Sequence, residues 1–169
     1  MYGENLKHLW SPWRMTYIQQ NNTEKGCVFC NALASEDDAS NLVIYRGDHA
    51  FVILNRYPYT SGHLMIVPNE HSSTVQALST EARSEVMELA SRALTVLAEA
   101  YHPEGYNLGM NLGEIAGAGI AEHVHLHIVP RWGGDTNFMS TTALTRVIPE
   151  ALEETYLRVK KAWDHIERT

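Results

Sequence analysis

The sequence lacks any run of about 18 apolar residues, the length at which a segment predicts a membrane-spanning helix. It also lacks the basic stretch and apolar core of a secretory signal peptide, so we expect a cytoplasmic protein with no membrane partner. Basic residues are scarce, with 13 Lys and Arg against 20 Asp and Glu and a formal net charge of −7. Because no basic stripe is present, the sequence does not predict nucleic-acid binding.

Internal repeats and low-complexity segments are also absent from the sequence. We expect one domain over residues 1–169, with an N-terminal arm at residues 1–26 and a core at residues 27–165. Hydrophobic residues make up 44% of the chain and charged residues 20%, which is typical of a globular protein with a buried core. An acidic protein that binds phosphates needs a local positive site, made by a metal, backbone N–H groups or a few arginines.

Hydrophobic patterning predicts an α+β fold. Residues 80–101 carry apolar side chains at helical spacing, with Ser79 in the N-cap position, and the polar residues 31–41 predict a loop. The expected strands are Leu42–Arg46, Ala50–Asn55, His63–Pro68, Tyr106–Leu112 and His123–Pro130, and the expected helices are Thr80–Tyr101 and Pro149–Trp163. Because hairpins and helices are segregated, we expect an antiparallel sheet of about five strands with one long and one C-terminal helix.

Three histidines, His123, His125 and His127, alternate with apolar residues. In a β-strand, residues i, i+2 and i+4 share one face, so the three imidazoles are expected to project to the same side. A neutral imidazole is available at neutral pH and can attack phosphorus, while a neighbouring histidine binds the phosphate or protonates the leaving group. The pattern therefore predicts a catalytic cluster for nucleotidyl transfer.

Two other interpretations of the histidine run stay open. One is an exposed polar strand face that carries histidine by chance. The other is a three-histidine metal site of the kind found in catalytic zinc proteins. The metal interpretation requires bent geometry, because neighbouring positions on one strand face must all reach a single ion.

A glycine-rich loop precedes the histidine run and contains Gly113, Gly117 and Gly119. Glycine lets backbone N–H groups approach phosphate oxygens closely, so this loop is a candidate phosphate-binding segment. A flexible hairpin loop has the same composition. The loop indicates phosphate binding only because three histidines follow it.

The only two cysteines are Cys27 and Cys30, spaced as Cys-x-x-Cys. In a reducing compartment this spacing is typical of a metal site or a redox pair rather than a structural disulfide. Two thiolates cannot complete a zinc tetrahedron, and His71, which follows a strand end, is the candidate third ligand. A reduced pair without metal stays an alternative, and no thioredoxin-like βαβ pattern supports a redox role.

The run His123–Val129, followed by Pro-Arg, resembles the His-x-His-x-His-x-x motif of the histidine triad (HIT) family of nucleotidyl hydrolases and transferases. The stretches Leu9–Met15 and Pro130–Phe138 are similar to its diadenosine tetraphosphate phosphorylase branch. The resemblance covers most of the chain, from the N-terminal arm to the C-terminal helix. It implies a HIT-like version of the α+β sheet described above.

By this resemblance, His125 is the nucleophile that becomes adenylylated, His127 contacts the transferred phosphate, and His63 supports the triad from behind. The implied substrate contacts are Asn55 at the ribose hydroxyls and, at the phosphates, Asn111, Gly117 and Gly119. Several branches carry Gln or Ser where this chain has Gly119. Backbone N–H groups must then contact the phosphate, which leaves the acceptor open between phosphate and water.

Two residues that follow the run are further candidates for substrate binding. Arg131 can steady a polyphosphate, although an exposed strand-end arginine is equally ordinary. Trp132 can stack on a base, also across a dimer, although plain packing is as good an explanation. The remaining histidines are interpreted as surface residues: His8, His49, His102 and His165.

In zinc-bearing members of the family and in the related galactose-1-phosphate uridylyltransferases, the first histidine of the run is a zinc ligand. The resemblance therefore implies a structural zinc ion held by Cys27, Cys30, His71 and His123. Such an ion would fix the ring of His123 and brace the segment that carries His125.

The resemblance implies an enzyme that cleaves a dinucleoside polyphosphate such as diadenosine tetraphosphate, with phosphate as the favoured acceptor. We expect Mg²⁺ with the substrate, because an acidic protein must bind a multiply charged anion. The implied assembly is a homodimer that joins two sheets. The alternatives are a nucleoside phosphoramidase, a dinucleoside polyphosphate hydrolase, and a non-catalytic, zinc-stabilised nucleotide-binding module.

Overall fold

The computed structural model describes residues 26–135 and 150–168. Within them, five antiparallel strands form one sheet in the order β1-β2-β3-β5-β4. The strands are β1 Val43–Arg46, β2 Ala50–Leu54, β3 Leu64–Pro68, β4 Gly105–Gly109 and β5 Leu126–Arg131. The predicted α+β class and its antiparallel sheet are confirmed.

Two long helices pack on one face of the sheet and two short ones precede it. They are α1 Val28–Ala34, α2 Asp38–Asn41, α3 Thr80–Tyr101 and α4 Leu152–Ile166. Helix α3 has the predicted bounds, because the Ser79 side chain accepts a hydrogen bond from the Ala82 N–H and so caps the first turn. His102 ends the helix in the left-handed conformation, at φ 47°.

The loop predicted over residues 31–41 is wrong for most of that range, because α1 and α2 occupy it. Phe29 and Ala32 of α1 are buried, and the Asp37 side chain caps α2 by accepting from the Ser40 N–H at 3.1 Å. Helices of one or two turns are too short to give a periodic hydrophobic pattern, so the sequence did not reveal them.

The core lies between the sheet and helices α3 and α4. Helix α3 buries one apolar stripe there, made of Val86, Leu89, Ala90, Ala93, Val96 and Leu97. The helix also packs tightly on Gly62, which has φ +77° and where a Cβ atom would lie 3.0 Å from the Tyr101 ring. This close contact fixes the turn that leads into His63.

Strand β5 begins at Leu126, three residues later than predicted, so only His127 of the run lies in a regular strand. Strands β3 and β5 pair as far as Ile66 and Leu126. In the same register Pro68 would stand opposite Val124, two positions further on, but proline has no N–H to donate to the ladder. The Val124 N–H donates to the Ser72 carbonyl at 2.7 Å instead. The expectation that all three imidazoles project from one strand face is therefore corrected, because residues 123–125 lie outside the sheet.

Within the described ranges, no helix is long and apolar enough to cross a membrane. The predicted N-terminal arm lies outside the described residues, as does His8. The beginning of the second predicted helix and the end of the motif that starts at Pro130 fall in the gap between residues 135 and 150.

Candidate active site

His125 is buried, and its ring orientation is fixed by the backbone. Its side chain is 5% exposed, and its Nδ1 lies 2.8 Å from the carbonyl oxygen of His123. Because a carbonyl can only accept, Nδ1 carries the proton and Nε2 keeps its lone pair. Burial lowers the pKa of His125, which favours the neutral ring. The arrangement produces a neutral imidazole with one fixed nucleophilic nitrogen.

His127 and His63 form a hydrogen-bonded pair whose proton positions follow from the backbone. The Tyr59 N–H donates to His63 Nδ1 at 3.1 Å, so the proton of a neutral His63 lies on Nε2. That nitrogen is 2.9 Å from His127 Nδ1, which therefore accepts. The remaining proton of a neutral His127 then lies on Nε2, and this atom can donate to a phosphate oxygen.

His127 is held in its neutral form by its surroundings. Desolvation by burial, with a smaller contribution from His125, lowers the pKa of His127 to about 4. At neutral pH the ring is therefore a hydrogen-bond donor with little acid character. The His125 and His127 ring centroids are 4.8 Å apart, so a nucleophilic nitrogen and an N–H donor stand side by side.

Four predicted metal ligands converge beside this pair. The ligand atoms of Cys27, Cys30, His71 and His123 all lie within 4.8 Å of one another. The closest approaches are 3.3 Å between Cys27 Sγ and His123 Nδ1 and 3.2 Å between Cys30 Sγ and His71 Nδ1. Ligand atoms on a tetrahedral zinc ion with ordinary bond lengths are separated by about 3.3–3.8 Å, and the closest approaches in this set match that spacing.

His123, one of the four predicted ligands, is oriented from its other ring nitrogen. His123 is fully buried, and its Nε2 donates to the Pro68 carbonyl at 2.9 Å, which leaves the Nδ1 lone pair directed at the cysteines. Burial lowers the pKa of His123 and so favours the neutral form that binds a metal. The four residues are therefore suited to a closed structural site.

One aromatic side chain that the sequence did not single out links this cluster to the nucleophile. Phe29 lies between the two cysteines on α1 and is 2% exposed. Its ring centroid is 5.4 Å from that of His123 and 5.0 Å from that of His125. The Cys-x-x-Cys segment therefore packs directly against the ring of His125. A single phenylalanine between the two cysteines gave no signal of this contact.

The predicted substrate contacts are distributed around the histidine pair. Asn55 follows β2, its Oδ1 accepts from the Tyr57 N–H at 2.9 Å, and its Nδ2 lies 3.4 Å from His63 Nδ1. Asn111 donates to the Gly117 carbonyl at 3.4 Å. Gly117 has φ 90°, while Gly119 is exposed in the same loop. Asn55 therefore lies at the hydrogen-bonded pair of His63 and His127. The glycine loop precedes the histidine run along the chain.

Arg131 and Trp132 lie at the end of β5. Arg131 forms a two-point ion pair with Asp135, at 2.6 and 2.9 Å, and donates to Asn107 Oδ1 at 2.7 Å. Trp132 is half-buried and its ring meets Tyr101 edge-on at 6.4 Å. The three predicted surface histidines within the described residues, His49, His102 and His165, are exposed.

Comparison with known proteins agrees with this arrangement. The family model of the HIT domain matches residues 36–134. A protein of Mycobacterium tuberculosis named AP-4-A phosphorylase is 35% identical over 167 residues, covering 95% of this chain and 86% of the relative. The adenosine 5'-monophosphoramidase of Schizosaccharomyces pombe is 30% identical over 105 residues, covering 62% of this chain and 74% of that protein.

A solved structure is also similar. The zinc-bound histidine triad family protein of Mycobacterium smegmatis superposes with a TM-score of 0.69 at 26% identity. The match covers 85% of this chain and 96% of that one.

Proposed function

Because this chain belongs to the HIT domain family and is a nucleotide-processing enzyme, we propose that it cleaves dinucleoside polyphosphates, such as diadenosine tetraphosphate, through an adenylyl intermediate on His125. The observation that carries the proposal is the pairing of two neutral rings. His125 presents a lone pair on Nε2, and His127 beside it presents an N–H.

The first step forms a bond between His125 Nε2 and the α-phosphorus and breaks the bond to the bridging oxygen of the leaving polyphosphate. His127 Nε2–H donates a hydrogen bond to the phosphate being transferred and keeps its proton. The negative charge leaves with the polyphosphate. Because the pKa of His127 is about 4, the site suits a leaving group that departs as an anion, and an amine leaving group that must be protonated suits it less.

In the second step an acceptor oxygen attacks the adenylyl phosphorus and the bond to His125 Nε2 breaks. Phosphate as the acceptor gives ADP, whereas water gives AMP and releases a proton. Phosphate is favoured because the relative from M. tuberculosis is an AP-4-A phosphorylase. Asn55 near His63, and the loop with Asn111, Gly117 and Gly119, are the proposed contacts to ribose and phosphates. Mg²⁺ accompanying the substrate would offset charge repulsion from an acidic protein.

Zinc on Cys27, Cys30, His71 and His123 is part of the proposal. A zinc ion there would supply a structural cross-link between α1, the β3 end and the catalytic segment, with no open coordination position. Hydrogen bonds of His123 order the catalytic segment without a metal as well. His123 bonds Pro68 through its ring and His125 through its carbonyl, so a fixed His123 ring also fixes the nucleophile. Elemental analysis of protein purified without chelator should find one zinc per chain, and much less would contradict this assignment.

A homodimer in the cytoplasm stays our prediction for assembly and location. Strand β4 is one of the two edge strands of the sheet, and one of its edges has no partner strand among the described residues. An unpaired edge is where a second sheet can be joined.

The test is turnover of diadenosine tetraphosphate with and without inorganic phosphate, with mass spectrometry of the trapped protein. We expect ADP and ATP with phosphate, and an adenylyl adduct that is absent from His125→Asn. Products of AMP and ATP that do not respond to phosphate would favour the hydrolase. Turnover of adenosine phosphoramidate alone would favour the phosphoramidase, and AMP binding without any turnover would favour the non-catalytic module.

A further inference from the structure

A cleft that begins at His127 runs over β4 and the end of β5. Its volume of about 420 Å³ lies in the range of small-molecule sites. His127, Asn107 and Arg131 line this cleft, whereas His125 does not. The cleft therefore extends from the N–H donor of the catalytic pair, on the side away from the nucleophile.

Strand alternation determines which residues face the cleft. The Tyr106 hydroxyl donates to the Leu94 carbonyl of α3, so Tyr106 points to the helix side of the sheet. Its neighbour Asn107 points to the opposite side, as does Val129, with which Asn107 is paired. Asn107 thus lies two residues along β5 from His127, about 7 Å at the usual strand rise.

Glycines flank Asn107 on its face of β4, and one of them, Gly109, lines the cleft. Gly109 is paired with His127 and Gly105 with Arg131. A Cβ atom added at either glycine would have no neighbour within 4 Å. An extended ligand can therefore lie along the strand pair and meet the Asn107 side chain between two positions without side chains.

The amide of Asn107 has a fixed orientation. Its Oδ1 accepts from Arg131 Nη1 at 2.7 Å, and a guanidinium group has no acceptor atom, so the oxygen must face Arg131. The Nδ2 group then points away from Arg131. No other described residue forms a hydrogen bond with Nδ2, so its two N–H groups are available to a ligand.

Arg131 is itself held in place. Asp135 binds its Nε and Nη2 at two points and balances its charge, and the Asp135 side chain is only 11% exposed. The charge of Arg131 is therefore already balanced by Asp135, although the Arg131 side chain is exposed. Its remaining contribution is to orient Asn107, a role different from the direct polyphosphate contact suggested by the sequence.

Displacement at phosphorus places the leaving group opposite the attacking nitrogen. Given the function proposed above, on which this inference rests, the leaving group departs from His125 toward the cleft. We propose that the cleft binds the leaving polyphosphate, that the Asn107 amide donates to a phosphate oxygen beyond the cleaved bond, and that Arg131 is a positioning residue for this amide.

The first test compares two substrates in one variant. Asn107→Ala should lower kcat/KM for diadenosine tetraphosphate by roughly ten- to a hundredfold, the usual effect of losing a hydrogen bond to a charged group. Adenylylation by adenosine 5'-phosphorimidazolide, whose leaving group carries no phosphate, should stay within about twofold of wild type. Asn107→Asp, which replaces the donor by an anion, should lose at least as much with the tetraphosphate.

Two outcomes would overturn the assignment of Asn107. One is an equal loss with both substrates, which indicates a general disturbance of the site. The other is no loss with diadenosine tetraphosphate. If the wild-type protein does not cleave this substrate at all, the proposed function itself fails, so the two failures are distinguishable.

The second test asks whether Arg131 acts through Asn107. If it does, the double variant Asn107→Ala/Arg131→Gln should lose no more activity than Asn107→Ala alone. If the two losses multiply, Arg131 contacts the substrate directly and the positioning role is wrong. Arg158→Gln is the matched control, because Arg158 pairs with Glu150 at 2.8 Å with similar exposure, 53% and 12% against 44% and 11% for the Arg131 pair.

Discussion

Acidification should destabilise this protein in a way that is traceable to His127. The folded protein keeps His127 neutral down to a pKa of about 4, whereas in an unfolded chain the pKa of histidine is about 6.5. Between these values the unfolded state binds a proton that the folded state does not. The free energy of unfolding must therefore fall as the pH falls through this window. Lowered pKa values at His123 and His125 act in the same direction.

The expected size follows from the two pKa values of His127. Between pH 7.5 and pH 5, proton binding to the unfolded state should remove about 2 kcal/mol from the free energy of unfolding through His127 alone. Below pH 4 both states are protonated and the loss levels off at roughly 3 kcal/mol. Since domains are stable by only about 5–15 kcal/mol, this is a large share of the total.

The assay is urea unfolding at a series of pH values for wild type and His127→Gln. Glutamine keeps an acceptor for His63 Nε2–H but has no titrating group. We expect the variant to lose about 2 kcal/mol less than wild type between pH 7.5 and pH 5. Identical pH dependence in the two proteins would refute the conclusion that the half-buried His127 ring stays neutral down to a pKa of about 4.

Three further changes test other parts of the site. Cys30→Ser should reduce bound zinc below one per chain, measured by elemental analysis, and lower the Tm, measured by calorimetry. An unchanged zinc content would contradict the proposed ligand set. Phe29→Ala should destabilise the fold by about 3–5 kcal/mol, because Phe29 is 2% exposed and packs on His125, whereas a loss under about 1 kcal/mol would mean that it is not core. His63→Ala should slow adenylylation by roughly ten- to a hundredfold with His125 intact, because nothing then fixes the proton on His127 Nε2. A rate equal to that of wild type in a rapid-quench assay would contradict this role of His63.

Helix α3 and the strand regions could be predicted because their signals are local. The Ser79 cap and the apolar stripe of α3 are properties of one segment, and its bounds were predicted to the residue. The start of β5 could not be predicted in the same way. It depends on which residue of β3 stands opposite Val124, and that residue is Pro68, which cannot continue the ladder.

In the candidate site, too, the residues with a local sequence signal were predicted and those that depend on strand register were not. The ligand set Cys27, Cys30, His71 and His123 came from spacing and family resemblance, and the fold brings these residues together. Asn107 was missed because its environment is made entirely by register. An asparagine in an edge strand has no distinguishing pattern until its partners Val129 and Arg131 are known.

The three histidines differ in what their Nδ1 atoms contact, and this difference underlies the roles proposed for them. In His123 it faces the cysteines, in His125 it bonds the carbonyl of His123, and in His127 it accepts from His63. Only His125 is left with a lone pair on Nε2, because the Nε2 of His123 donates to Pro68 and that of His127 carries a proton. The spacing of two residues is essential to this result. It lets the ring of His125 reach back to the carbonyl of His123, so that a residue anchored through its own ring also orients the proposed nucleophile.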